Sequence, residues 1–188
     1  MGYIPTPSVN ARELARVRLQ PLPRRWQHVH GVGQLAQDAA LGLDEDLVAA
    51  AWLHDVGYCP DLVDTSLHSL DGARYLLQVG APSRVVSLVA HHTGAVFEAQ
   101  ERGLSGELAR IPTPNQKDLD ILTLLDLCVS PEGLLTHPAR RVAEILSRYT
   151  AQDPVHRAVS RAALPLLEAA RRARARLGLA DEWPVRPG

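Results

Sequence analysis

Residues 49–58 read Ala-Ala-Ala-Trp-Leu-His-Asp-Val-Gly-Tyr, an apolar run that ends in an adjacent histidine and aspartate. On a continuous helix neighbouring side chains diverge by about 100°, so His54 and Asp55 would not both face the core. Both reach one centre if the helix ends there and the backbone turns, which Gly57 favours. A nitrogen and an oxygen ligand delivered together by an apolar helix indicate a metal site. The alternative is a core histidine beside an ordinary aspartate at a helix end.

Composition limits the classes of protein to consider. The chain has 188 residues, of which 46% are hydrophobic, and a net charge of −1. This length suits one domain with a sizeable core, and the small net charge gives no reason to expect a nucleic-acid partner. No apolar run is long enough for a transmembrane helix, and the N-terminus has no apolar signal segment, so we expect a cytoplasmic protein without a membrane partner. Cys59 and Cys128 are too far apart for a Cys-x-x-Cys site, and we expect both thiols to be free.

Apolar residues recur at spacings of three and four along most of the chain, and period-two alternation is absent. This pattern predicts an all-α fold. Pro165 is expected to kink or split the last helix. The helices are expected near residues 8–19, 24–41, 45–54, 69–79, 82–92, 95–102, 115–129, 138–149 and 154–177.

Further metal-type residues lie in other helical segments, and each has an ordinary alternative. His28 lies on an apolar helix face, where a core histidine is common. His68 opens a helix as a cap would, and His91 and His92 close one, where a cation suits the helix dipole. Asp126 stands within Leu-Leu-Asp-Leu, and a buried carboxylate costs several kcal/mol unless it is paired with a cation such as arginine or bound to a metal.

These alternatives are not independent, because four separate helical segments each offer a histidine or aspartate at an inward position or an apolar helix end. Two metals that share a bridging carboxylate would use all of them. Nitrogen and oxygen ligands without thiolates suit iron, manganese, zinc or another divalent cation.

The order of these residues resembles the HD-domain superfamily of metal-dependent phosphohydrolases over roughly residues 24–132. Four motifs carry the resemblance: the first-histidine helix, the His-Asp signature, the His-x-x-x-Gly-Ala helix start and the last acidic ligand. In this chain they stand at residues 25–32 (RWQHVHGV), 53–58 (LHDVGY), 68–73 (HSLDGA) and 125–126 (LD).

The resemblance implies a set of six ligands, as in the dinuclear members of the superfamily. One metal would be bound by His28, His54, Asp55 and Asp126. Asp55 would bridge to a second metal, held also by His68 and by either His91 or His92. The pair His92-Thr93 resembles the Tyr-His-Thr of symmetrical bis-nucleosyl-tetraphosphatases, which favours His92 and leaves His91 as the alternative.

The resemblance also implies the arrangement of the chain, a single-domain HD-type helical bundle. Residues 1–22 would form an arm and a short helix, residues 23–133 the metal-binding core, and residues 134–188 helices that pack on that core. The arginine-rich run at residues 171–176 is expected to be a solvated helix face rather than a nucleic-acid site, because no aromatic residues are interleaved with it.

The implied function is hydrolysis of a phosphoester or phosphoanhydride in a nucleotide or another small phosphorylated metabolite. A metal-bound hydroxide would attack phosphorus, with His54 and Asp55 at the catalytic centre. Two alternatives remain. Some HD proteins with the same six ligands are di-iron oxygenases, and a non-catalytic metal- or nucleotide-binding regulatory module is the other possibility.

Substrate contacts are expected from Arg25, Tyr58 and Lys117, with Arg74 and Arg84 as further cations near the motifs. The segment after the paired histidines lacks the Asp-Gly-x-Gly-Tyr-Pro of the cyclic-di-GMP branch, which argues against a cyclic dinucleotide. The chain also lacks the tetraphosphatase branch's lysine soon after the signature, so the resemblance does not specify dinucleoside polyphosphates.

Overall fold

Apolar periodicity produces helices throughout the part of the chain that the computed structural model describes, which is the backbone of residues 7–184 and the side chains of residues 11–184. The all-α prediction is confirmed, and the only β pairing in this part is an isolated antiparallel bridge between Val129 and Leu135. Most of the predicted arm, residues 1–6, lies outside the described residues. The α-helices are α1 (Pro7–Leu19), α2 (Pro23–Ala36), α3 (Glu45–Leu53), α4 (His68–Gln78), α5 (Ser83–His91), α6 (Ala95–Glu101), α7 (Ser105–Leu108), α8 (Gln116–Leu127), α9 (Pro138–Arg148) and α10 (Pro154–Leu177).

The helices differ from the sequence prediction in three respects. Helix α2 ends at Ala36, because the Asp38 side chain accepts a hydrogen bond from the Ala40 amide at 2.9 Å and starts a separate 3₁₀ turn. The short helix α7 lies in a stretch predicted to be a loop. Pro165 does not split α10, which runs unbroken for 24 residues. The exposed proline ring faces water, where the carbonyl that loses its helical partner can be hydrated.

Helix α3 is the centre of the core, because every residue from Leu47 to Leu53 is buried. Helices α1, α2, α5 and α8 pack around it. A Cβ atom on Gly33 would lie 2.2 Å from the ring of Trp52, so α2 and α3 approach each other more closely than a larger residue would permit. This close approach brings His28 of α2 beside His54, which follows the last residue of α3.

The end of α3 is packed just as closely against the start of α4. A Cβ atom on Gly57 would lie 1.9 Å from the carbonyl oxygen of His68 and 2.5 Å from the amide nitrogen of Gly72. The φ angle of Gly57 is not positive, so the glycine is required for this backbone contact and not for the freedom of turning that the sequence suggested. The contact sets the position of His68 relative to the segment that carries Asp55.

The C-terminal helix α10 is attached to α8 by ion pairs between a buried carboxylate and two partly exposed arginines. The fully buried carboxylate of Asp120 accepts hydrogen bonds from Arg172 at 2.7 Å and from Arg176 at 2.6 Å. Arg174 is itself buried and donates to the Trp183 carbonyl at 3.2 Å. The prediction that residues 171–176 form a solvated face is therefore wrong for the buried Arg174, while the partly exposed Arg172 and Arg176 attach α10 to α8.

The structure agrees with the predictions of free cysteines and of no transmembrane helix in the part of the chain that it describes. Cys59 and Cys128 are buried and unbridged, and burial raises the pKa of the Cys128 thiol to about 12. Between residues 7 and 184, none of the helices combines the length and the hydrophobicity that crossing a membrane would require.

Substituting Gly57→Ala should lower the free energy of unfolding by about 3 kcal/mol, because the new methyl group must displace backbone atoms of α4. Chemical denaturation measures this change. The matched control is Gly106→Ala, which meets open space within helix α7 and should leave stability unchanged or slightly raised. Equal stability of the two variants would contradict the close-contact role of Gly57.

Substituting Asp120→Asn should cost about 1–2 kcal/mol at pH 7, after allowance for water around its half-exposed arginine partners. Burial works to raise the pKa of Asp120, but its hydrogen bonds with Arg172 and Arg176 outweigh burial and lower it. The contribution is therefore complete above the ordinary aspartate pKa of 3.8 and is lost as the pH falls below it.

Denaturation curves of wild type and Asp120→Asn at pH 7 and pH 3 should accordingly converge at the lower pH. The exposed Asp61→Asn serves as the control and should match wild type at both values. A gap between Asp120→Asn and wild type that is as large at pH 3 as at pH 7 would contradict the ion-pair interpretation.

Candidate metal centre

Five helical segments bring histidine and aspartate side chains to one place in the core. All of them are buried except His68, which is partly buried. They are His28 within α2, His54 and Asp55 directly after α3, His68 at the start of α4, His92 directly after α5, and Asp126 in the last turn of α8.

The ligand atoms form two groups. In the first ligand group, one atom from each of His28, His54 and Asp126 lies within 4.8 Å of the others. In the second ligand group, atoms of Asp55, His68 and His92 meet the same limit. Each group offers imidazole nitrogen and carboxylate oxygen without a thiolate, which is a donor set for a divalent transition metal.

Asp55 lies between the two groups and faces both. Its Oδ2 atom is 3.4 Å from Nε2 of His54 and 3.8 Å from Nε2 of His28. Its Oδ1 atom is 3.3 Å from Nε2 of His68 and 3.7 Å from Nε2 of His92. One carboxylate thus presents a different oxygen to each group, which is the arrangement of a bridging ligand.

Backbone carbonyls orient three of the histidine rings. The Nδ1 atom of His54 donates to the Ala51 carbonyl at 2.9 Å, and that of His92 donates to the Val89 carbonyl at 2.6 Å. The Nδ1 atom of His28 lies 3.2 Å from the Ser130 carbonyl. Because a carbonyl only accepts, each Nδ1 donates to it, and each Nε2 is the ring atom directed at the site, where it can bind a metal ion in place of a proton.

The electrostatics of the site favour added positive charge. Burial works to raise the pKa of Asp126, but the hydrogen bond from His28 and the charge of His54 hold it far below its usual range. The pKa of Asp55 is likewise held low against burial, with Arg25 as the largest opposing influence. Burial works to lower the pKa of His54, yet the neighbouring carboxylates raise it to about 9. The residues therefore fit divalent cations in both donor type and charge.

Three further side chains surround the ligands. Arg25 donates to Oδ2 of Asp55 at 2.5 Å, and its guanidinium lies 3.8 Å from the ring centre of Tyr58. The Tyr58 ring also stacks on His68, with 4.1 Å between ring centres. The Thr93 hydroxyl donates to Oδ2 of Asp126, which leaves Oδ1 toward the first ligand group. Sequence reasoning noticed Thr93 only as part of a His-Thr pair.

A cavity of about 100 Å³ opens above the ligands. Its floor is formed by the residues of the two ligand groups except His54, together with Arg25, Tyr58 and Thr93, and its roof comes from α9, α10 and the segments at their ends. Sequence reasoning missed the roof, because no motif marks it and it lies far along the chain from the ligands. The roof residues are Arg141, Ile145, Arg148, Tyr149, Val155, Val159 and Leu166.

Several residues singled out from the sequence lie elsewhere. The Nε2 atom of His91 is 3.0 Å from the Ile111 carbonyl, and His91 belongs to neither ligand group. Lys117 is exposed in the first turn of α8, about 13 Å along the helix from Asp126, and does not line the cavity. Arg74 and Arg84 are not cavity residues either, and both are engaged in salt bridges on other surfaces.

Comparison with known proteins gives one match. A family model described as HD domain matches residues 25–128, which is more than half of the chain. This range contains all residues of both ligand groups. No curated protein and no solved structure matched the chain.

Asp55→Ala should reduce the metal content per chain at both positions, because its two oxygens face both ligand groups. His68→Ala should reduce mainly the content of the second position. Elemental analysis of the purified variants measures both effects, and His91→Ala should retain the wild-type content. Equal loss of a single metal from the Asp55 and His68 variants would contradict a bridging role for Asp55.

Proposed function

Because the chain belongs to the HD domain family, we propose that it is a metal-dependent phosphohydrolase that cleaves a phosphoester or phosphoanhydride in a nucleotide or another small phosphorylated metabolite. The observation that carries the proposal is the carboxylate of Asp55, whose two oxygens face two separate histidine-containing groups below one cavity. A pair of divalent cations bound there would supply an activated water and positive charge against the developing charge on phosphoryl oxygens.

The protein's part in this chemistry is to hold ligands and substrate in fixed positions. Asp55 would bridge the two metal positions, and carbonyls of the helix ends fix the rings of His54 and His92. Thr93 holds Asp126 in place through a hydrogen bond to the oxygen that faces away from His28. These hydrogen bonds orient the side chains of His54, His92 and Asp126 before substrate binds.

Arg25 is positioned to contact the phosphoryl group. Its guanidinium is fixed by the Asp55 carboxylate and the Tyr58 ring at the edge of the ligand groups, and it lines the cavity. Guanidinium groups pair with phosphate oxygens through two parallel hydrogen bonds. Among the residues that the structure describes, the cavity lining contains no serine or cysteine, and its one threonine hydroxyl already donates to Asp126, which supports water as the nucleophile.

The roof of the cavity supports an organic phosphate as substrate rather than an inorganic one. Ile145, Val155, Val159 and Leu166 give it an apolar wall that faces the polar floor. An apolar wall beside a few convergent polar groups is typical of a site that holds an organic ligand in one orientation. A nucleoside would place its base or sugar against this wall while its phosphate meets the floor.

The as-purified, metal-containing protein should release phosphate from members of a panel of nucleotides and phosphate esters under anaerobic conditions. His54→Ala and Asp126→Ala should reduce kcat/KM by about a thousandfold or more, since each removes a ligand of the first group. Lys117→Ala should leave turnover unchanged because the residue lies outside the cavity.

Two results would contradict the proposal. Oxygen consumption without anaerobic phosphate release would favour the di-iron oxygenase that shares the same ligand set. Absence of any turnover from fully metal-loaded protein would favour a regulatory module.

A further inference from the structure

Beside the metal cavity lies a groove whose permanently charged lining residues are all arginines. It has a volume of about 460 Å³ and is lined by Arg24, Arg25, Arg141 and Arg148 together with His28, Tyr58 and apolar residues. We call it the arginine groove. Two of its arginines come from α2 and two from α9, so the groove exists only where the C-terminal part of the chain meets the core.

Arg141 is the most unusual member of the groove. It is 7% exposed, and its Nε atom is buried without a hydrogen-bond partner among the described residues. A buried guanidinium donor left unpaired lowers stability, so such a group is rarely retained for structure alone. Arg141 lines both the metal cavity and the arginine groove, so its guanidinium borders the space that a ligand would occupy.

The charges of the groove are only partly compensated. Arg24 pairs with Glu132, and Arg25 pairs with Asp55. Arg141 lies in the first turn of α9 and Arg148 is its last residue, and the two share a single carboxylate, that of Glu144 between them. Two guanidinium groups against one carboxylate leave one surplus positive charge beside the cavity. The surplus positive charge and the unpaired Nε atom of Arg141 favour an anionic ligand at this position.

The anion must belong to the molecule that reaches the metal centre. The cavity and the groove share Arg25, His28, Tyr58, Arg141 and Arg148 as lining residues, so the two lie side by side and an extended ligand would meet both. A phosphate at the ligand groups would leave a neighbouring phosphate of the same chain within the arginine groove. A terminal phosphate suits this position better than a carboxylate, because its three terminal oxygens can pair with both guanidinium groups at once.

We propose that Arg141 and Arg148 form a second phosphate subsite, and that the substrate is an organic compound with at least two linked phosphates, such as a nucleoside diphosphate or a longer phosphate ester. The inference rests on the proposed function, since it assumes that the first phosphate lies at the metal centre. It adds a specificity role for helix α9, which lies outside the matched HD domain at residues 25–128.

Calorimetric titration of the metal-containing protein with two probes tests the subsite. The probes are adenosine 5′-monophosphate and adenosine 5′-(α,β-methylene)diphosphate, whose bridging carbon prevents cleavage between the phosphates. Wild type should bind the diphosphate at least about tenfold more tightly. Arg141→Gln and Arg148→Gln should each remove most of this preference while leaving the affinity for the monophosphate within about twofold.

Arg140→Gln is the matched control, because Arg140 is an exposed arginine of the same helix that lines neither the cavity nor the groove. It should keep the wild-type preference. Arg148 is more exposed than Arg141, so Arg148→Gln remains decisive if the buried substitution impairs folding. Equal affinity of wild type for both probes, equal weakening of both probes by the Arg148 variant, or the same loss in the Arg140 variant would each overturn the subsite.

The subsite and the proposed function fail in different ways. A preference for the diphosphate that depends on Arg148, with no phosphate release from any ester, would reject hydrolysis and retain the subsite. Phosphate release from simple monoesters, with no diphosphate preference in binding, would retain hydrolysis and reject the subsite. Because binding and turnover are measured in separate experiments, the subsite and the hydrolase function can be accepted or rejected independently.

Discussion

Two carboxylates buried in an apolar core, Asp55 and Asp126, are the constraint on which this fold depends. A charged group in such surroundings is tolerated only with compensating positive charge and hydrogen bonds. The protein supplies part of that compensation through Arg25, which holds Asp55, and through His28 and Thr93, which hold Asp126. The raised pKa of His54 shows that the site still favours positive charge. The incompletely compensated negative charge of the two carboxylates would destabilise the core without a cation, and it favours the binding of cations there.

The helices around this centre are arranged by close backbone contacts as much as by apolar burial. Gly33 lets α2 approach Trp52 of α3, and Gly57 lets the segment after α3 touch the start of α4. These contacts set the spacing of His28, His54 and His68 around Asp55. Periodicity in the sequence predicted most helices and their buried faces, because apolar spacing follows directly from burial. It did not reveal the reason for Gly57, since a contact between distant backbones leaves no local pattern.

The same difference explains which parts of the site could be foreseen. Residues of the ligand set stand out in the sequence because a histidine or aspartate in an apolar segment is unusual and their order is shared with a known family. Arg141 and Arg148 do not stand out, because an arginine on an amphipathic helix usually faces solvent. Only the packing of α9 over the cavity distinguishes them from Arg140 on the same helix. The end of α2 at Ala36 was missed for a similar reason, since the Asp38 side-chain cap that follows it lies in an alanine-rich stretch of good helix formers.

Helix α8 connects the two halves of the structure. Near its end, Asp126 belongs to the first ligand group, and six residues earlier Asp120 binds Arg172 and Arg176 of α10. The roof of the cavity, which α10 and α9 carry, is thereby attached to the same helix that supplies a ligand. Because the ion pair at Asp120 sets where α10 lies, and α9 packs on α10, it also sets where Arg141 and Arg148 meet the cavity. The carboxylate near the end of α8 thus belongs to the candidate metal site, while the one toward its start holds the helices that form the roof of the cavity.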